Sequence, residues 1–302
     1  MHAIDPQLLF AGNIRALARA ISQVENEVPG YERLLETDAP RPQESPLQIT
    51  GITGPPGVGK STLINGLLQL WLEKGWKTAV LAVDPSSPFH QGALLGDRLR
   101  MSVQYNHPDL FIRSLASRGS LGGLHPKIIE ISALIEKAGF ERLIIETVGV
   151  GQSEVAIAGL ADATVVVLAP ESGDDVQSMK AGLMEIADLF VLNKADRPGA
   201  DKAARYLRAL SHQKADPATA VAVVKTVATE GRGLAELITA LDRHFATTAR
   251  QPERKAMLMA EKAWQLLAAE RMRDLSKPAL QAAIAKQLAA GSFNLFRFVK
   301  AY

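Results

Sequence analysis

The chain contains no cysteine. That excludes disulfides, thiolate metal sites and cysteine nucleophiles, so any chemistry runs on oxygen and nitrogen groups. It also lacks an excess of either charge: 34 Lys and Arg stand against 32 Asp and Glu, a formal +2. Nothing in that balance points to nucleic acid or an anionic membrane. No run approaches the roughly 20 apolar residues that a spanning helix needs. Met1 to Phe10 places no basic stretch ahead of an apolar one, so a secretory signal is not expected and the cytoplasm is the default address. The six histidines are scattered, with no HxxH or HxxxH pair, which argues against a transition-metal site.

What remains is ordinary globular composition, 47% apolar and 22% charged over 302 residues. That length is enough for one large domain with appendages or for two domains. Ile14, Leu17, Ala18, Ile21 and Val24 recur at helical spacing behind Asn13, a residue suited to capping the first turn. A shorter helical piece around Tyr31 to Leu35 leads into Thr37 to Pro46, where three prolines mark a linker. From 48 to 248, β-branched and aliphatic runs alternate with helical patterns, the signature of βαβ units. The expected strands are Gln48–Thr53, Thr78–Asp84, Leu110–Arg113, Arg142–Glu146, Thr164–Ala169, Asp188–Asn193 and Ala222–Thr226. Several are apolar without alternation, as when helices cover both faces of a parallel sheet. The expected fold is therefore α/β, a three-layer sandwich around a mainly parallel sheet. After Thr247 the strand signals stop. Glu253 to Asp274 and Pro278 to Tyr302 read as two helices, the first with Met257, Ala260, Trp264 and Leu267 on one apolar stripe to be buried against its own domain or a second copy. The organisation is thus an N-terminal helical arm (1–47), a nucleotide domain (48–248) and a C-terminal helical arm (249–302).

Gly54-Pro55-Pro56-Gly57-Val58-Gly59-Lys60-Ser61, with Thr62 following, matches the phosphate-binding loop GxxxxGK[ST] between an expected strand and an expected helix. Its glycines let several N–H groups point at an anion, and the helix adds its positive end. Lys60 is placed to reach the β and γ phosphates and Ser61 to ligate Mg²⁺. A flexible Gly-rich turn is the bland alternative, and the strand-to-helix setting weighs against it. Asn193-Lys194-Ala195-Asp196 follows an apolar strand and matches NKxD, the guanine-reading element. A carboxylate there accepts from guanine N1–H and its exocyclic amine, which adenine cannot offer, while Asn193 supports the base edge and the Lys194 stem covers the ring. A solvated turn is the alternative for NKxD alone; behind a phosphate loop, the nucleotide should be GTP. The companion stretch Thr226-Val227-Ala228-Thr229 has valine where serine is usual, with backbone amides doing most of the work.

Acids at strand ends come next, because ligands of open α/β sheets lie at that edge. Glu146 ends an apolar strand with Gly149 three residues later, in the place of DxxG, so that Glu146 would hold Mg²⁺ through water and the Gly149 amide would sense the γ phosphate. Asp84 also ends a strand, where a helix cap is an equal alternative, and Asp97 lies in an expected loop. Gln152, Asp84 and Asp97 are unranked candidates to place the attacking water.

Taken together, Gly51 to Thr62, Ala82 to Pro88, Leu95 to Asp97, Ser117 to Gly123, Glu146 to Glu154 and Asn193 to Asp196 resemble the ArgK/MeaB family of GTPases, whose opening helix Arg15 to Ile21 also resembles. The resemblance covers nearly the whole chain. It implies a SIMIBI-type G domain with GTP/GDP and Mg²⁺ as cofactors, and a chaperone that gates adenosylcobalamin loading and protects an acyl-CoA mutase, most often methylmalonyl-CoA mutase. It implies that Asp84, Asp97 and Glu146 serve Mg²⁺ and hydrolysis, that Pro170 to Lys180 is a loop coupling nucleotide state to the mutase, that the helical arms build a homodimer, and that an adenosyltransferase is a further partner. Phe89 to Gly92 departs from the small, Gly-rich stretch usual in the family. Two other readings compete. A GTP-dependent protein or amino-acid kinase would need an acceptor site, and none is visible. A metal-delivery GTPase shares the fold but calls for the Cys and His clusters that this sequence lacks.

Overall fold

The computed structural model describes residues 4–38, 46–84, 107–118, 124–147, 153–170, 185–211, 221–248 and 252–301. Short helices α1 (Pro6–Phe10), α2 (Ile14–Glu25) and α3 (Glu32–Glu36) come first. The nucleotide domain then runs β1 (Gln48–Thr53), α4 (Lys60–Glu73), β2 (Thr78–Asp84), β3 (Leu110–Ala116), α5 (Ile128–Lys137), β4 (Arg142–Thr147), α6 (Ser153–Ala158), β5 (Ala163–Leu168), β6 (Leu189–Leu192), α7 (Ala200–Ser211), β7 (Ala222–Lys225) and α8 (Leu234–Thr248). Last come α9 (Pro252–Arg271), α10 (Lys277–Ala289) and α11 (Leu295–Ala301).

All seven strands form one sheet in the order β3-β2-β4-β1-β5-β6-β7, and every pairing is parallel. The strand leading to the phosphate loop is thus central, and the chain winds away from it in both directions. That reversal opens a crevice at the strands' C-terminal edge. Strand alternation divides the core. Ile52, Val80, Ile144 and Val165 pack with α4 and α8 on one face. Ile49, Leu81, Ile145 and Phe111 pack on the other face with α5, α6 and residues of α1 to α3, while Val166, Phe190 and α7 fill the remainder of that face. Asn13 caps α2 as expected, its Oδ1 accepting from the Ala16 amide at 3.0 Å.

By packing, residues 1–255 form one compact unit and 256–302 another. In the first, Leu17, Ala20, Ile21 and Val24 of α2 are fully buried and belong to the same core cluster as β1, β2 and β4. Polar ties add to that contact: Arg113 on β3 donates to the Glu25 carboxylate and to Ser22 Oγ, and Arg118 donates to the Glu25 carbonyl. Seating α6 requires a residue without a side chain on β1. A Cβ on Gly51 would stand 2.4 Å from Ile157 Cγ1.

One expectation changes in the second unit. The helix expected over Pro278 to Tyr302 is two helices. Gly291 adopts φ +67 behind α10, and Asn294 Oδ1 then caps a new helix through the Arg297 amide at 3.0 Å, so a glycine stop and an asparagine start sit within four residues. The stripe expected to bury against its own domain or a second copy is exposed in the single chain: Met257 is 67% exposed, Trp264 71% and Leu267 56%, with Ala260 also exposed. Among the described residues no helix is long and apolar enough to cross a membrane.

Candidate nucleotide site

The sheet brings Gly54 to Thr62, Glu146, Asn193 to Asp196 and Val227 to Thr229 to the C-terminal ends of β1, β4, β6 and β7, on one edge. Asp84 is the last residue of β2 and pairs across to Ala116; its side chain lies outside the described residues. Asp97, Gly149, Gln152, Phe89 to Gly92 and the 171–180 part of the expected coupling loop lie outside them as well.

Two glycines of the loop are obligatory. Gly54 has φ +141, and a Cβ there would stand 2.1 Å from the Val167 carbonyl of β5. Gly59 has φ +94 and begins α4; a Cβ there would stand 2.5 Å from Asn193 Nδ2. Between them Val58 is buried in the core on the α4 face, while Pro56 and Gly57 are exposed and Pro55 half-buried. Lys60 is buried at 8% exposure. Its ammonium donates to the Gly54 carbonyl at 2.8 Å and the Pro55 carbonyl at 3.1 Å, which fixes the charge inside the curl of the loop. Ser61, half-buried, donates its hydroxyl to Glu146 Oε1 at 3.1 Å, and Thr62 is exposed on the first turn. Glu146 is itself 7% exposed. A hydroxyl and a carboxylate oxygen this close are two hard donors of the kind Mg²⁺ takes, so the residues present fit that ion.

Asn193 joins three chain segments. It is 3% exposed. Its Nδ2 donates to the Val58 carbonyl at 2.9 Å, and its Oδ1 accepts from Thr226 Oγ1 at 3.0 Å and from the Ala228 amide at 3.1 Å. A further bond runs from the Ala195 amide to the Thr226 carbonyl. The side chain expected to support a base edge thus also splices the phosphate loop, the NKxD turn and the last loop. Thr226 opens the companion stretch, but nothing in the residue pattern assigned its hydroxyl this role. Lys194 sits half-buried in the left-handed region at φ 55, and Asp196 is exposed beside it. Val227 is 6% exposed, its side chain inward, which explains why serine's hydroxyl is dispensable there. Thr229 is exposed on a single 3₁₀ turn (Ala228–Glu230).

Away from this crevice, near the sheet edge at β3, His125 is 2% exposed. Its Nδ1 accepts from the Lys127 amide at 3.0 Å, and its Nε2 has no partner among the described residues. Burial, and then the charges of Arg118, Lys127 and Arg113, push its pKa down from 6.5 to about 4.

A parallel α/β sheet with a GxxxxGK[ST] loop on its central strand and an NKxD turn on the same edge defines the P-loop nucleotide hydrolases of the guanine-specific kind. The family described as "Methylmalonyl Co-A mutase-associated GTPase MeaB" matches residues 17–281. The chain is 44% identical over 237 residues to a relative from Pyrococcus abyssi, spanning 77% of this chain and 72% of that protein. It is 42% identical over 190 residues to the Escherichia coli protein named GTPase ArgK, spanning 62% and 57% respectively. Against the Caenorhabditis elegans methylmalonic aciduria type A homolog, mitochondrial, identity is 38% over 223 residues, 68% of this chain and 56% of that one. Among solved structures, a LAO/AO transport system kinase superposes with a TM-score of 0.65 at 24% identity, over 98% of this chain and 94% of that one, which shows the shared fold. The chain belongs to the MeaB family and is a GTPase.

Proposed function

We propose that this GTPase is a nucleotide-gated chaperone that controls adenosylcobalamin loading of an acyl-CoA mutase, methylmalonyl-CoA mutase or a near relative, and protects that mutase from inactivation. Membership of a family described as mutase-associated carries the partner class. The observation that carries the site is the Asn193 splice, which makes the phosphate loop and the NKxD turn one unit.

In this reading the amides of Gly54 to Ser61 cradle the β and γ phosphates, and Lys60 adds its charge from inside the loop. Ser61 and Glu146 hold Mg²⁺, with Asp84 and Asp97 joining them. When bound, that ion neutralises charge developing on the phosphate oxygens. Asp196 accepts from guanine, the half-buried Lys194 stem covers the ring, and the amides of Val227 to Thr229 close on the base edge. The Gly149 amide senses the γ phosphate, and Gln152, Asp84 or Asp97 places the attacking water. Residues 1–47 and 249–302 act as arms on the domain 48–248, and the open face of α9, with Trp264 at its centre, pairs with a second copy to give a homodimer. The protein works in the cytoplasm, with an adenosyltransferase as a second partner.

Lys60→Ala tests the site. Removing a charge-assisted donor to phosphate is expected to weaken GTP binding by about 100-fold in calorimetry; unchanged affinity would refute the assignment.

A further inference from the structure

Two threonines next to the site, 94 positions apart in sequence, are bonded to each other. Thr53 is fully buried and Thr147 is 1% exposed. Thr147 Oγ1 donates to Thr53 Oγ1 at 2.9 Å. β1 and β4 pair in parallel up to Ile52↔Glu146, so these threonines are the next pair along the ladder. Thr53 immediately precedes Gly54, the first residue of the phosphate loop. Thr147 immediately follows Glu146, whose Oε1 accepts from Ser61. Alternation along β4 turns Glu146 toward α4 and Thr147 toward the opposite face. The carboxylate and the hydroxyl therefore tie the end of β4 to the phosphate loop from both sides of the sheet.

The last residue of a strand is where a ladder frays. On its β2 side the ladder runs on to Val83↔Thr147; on its β1 side, where the phosphate loop begins, pairing stops at Ile52↔Glu146 and the threonine pair continues the hold. We propose that the Thr147–Thr53 hydroxyl bond is a positioning link, holding the Glu146 carboxylate in register with Ser61 and so setting the affinity of the loaded site for a divalent cation. This rests on the reading of Ser61 and Glu146 as the Mg²⁺ ligands. The two threonines are proposed as positioning residues, acting on Glu146 from within the buried interior.

Valine has nearly the shape of threonine without the hydroxyl, so stability and positioning can be separated. Removing one partner strands a buried hydroxyl and costs stability, whereas removing both is close to neutral. The experiment titrates full-length protein with a fluorescent GDP analogue across MgCl₂ concentrations and in EDTA, and records Tm alongside. Thr147→Val is expected to raise the half-saturating Mg²⁺ about fivefold, the worth of one hydrogen bond of about 1 kcal/mol, with GDP affinity in EDTA unchanged. Thr147→Ser, which keeps the donor, should behave as the parent. The double variant Thr53→Val with Thr147→Val should recover Tm and keep the raised Mg²⁺ requirement. A double variant in which both return to parental values overturns the link and leaves the pair a packing detail. Glu146→Gln is the control. If it shifts the Mg²⁺ requirement and the valine variants do not, the positioning link alone fails; if Glu146→Gln shifts nothing, the metal assignment itself fails.

Discussion

Asn193 and Asp196 stand three residues apart and do opposite things with their polar atoms. Asn193 is buried and bonds to two other segments of its own chain, the phosphate loop and the last loop, whereas Asp196 is exposed at the same edge. The Asp196 carboxylate is thus the part of the motif available to a ligand, as the proposed reading of guanine requires. Asp196→Asn swaps an acceptor for a donor, so GTP affinity is expected to fall by about 100-fold while xanthosine triphosphate, which carries a carbonyl in place of the amine, gains. Calorimetry with both nucleotides checks this, and a variant that still prefers GTP speaks against the assignment. His125 gives a second prediction. Its folded pKa of about 4 lies below the ordinary 6.5, so between those values the unfolded chain binds more protons than the folded one. The contribution is intact above about pH 6.5 and is lost progressively down to about pH 4. Urea midpoints between pH 7 and pH 4 should fall, and His125→Gln should flatten the slope.

At the scale of elements, the phosphate loop is held by backbone shape before any ligand arrives. Gly54 faces the Val167 carbonyl of a fully buried strand that has no room to retreat. Gly54→Ala is expected to cost about 3 kcal/mol, from backbone strain and the close contact together, with a matching drop in urea midpoint. The seven strands were legible because parallel strands covered on both faces are written as apolar runs such as Val165 to Leu168. β1 and β2 kept both ends, and the other five strands moved by one to three residues at one end or both. β3 gained Ser114 to Ala116 because β2 offers a partner as far as Asp84↔Ala116, and that pairing is non-local. The phosphate loop and the NKxD turn were legible because each is local in sequence. The hydrogen bonds of Thr226 to Asn193 and of Thr147 to Thr53 span 33 and 94 positions, and nothing in the local residue pattern announces them. The break before α11 was legible in principle, since Gly291 and Asn294 are ordinary stop and start residues. The long Ala- and Leu-rich pattern around them masked it.

On the scale of the whole molecule, the missing cysteines and balanced charge fit a GTPase whose partner is another protein, with anion binding confined to one loop. The first compact unit carries every described site residue. The second presents Met257, Trp264 and Leu267 on one helix with large exposed areas, along with Phe296 at 78% and Val299 at 67%. Exposed apolar side chains of this kind suit a protein contact, the second copy proposed above. The mutase partnership is the central claim. It is tested most directly by measuring steady-state GTP hydrolysis while titrating in purified cobalamin-dependent methylmalonyl-CoA mutase from the same source. The account predicts a saturable change in rate at near-stoichiometric mutase that disappears with Lys60→Ala. A rate indifferent to the mutase, with no complex formed in either the GDP or the GTP-analogue state, would contradict it.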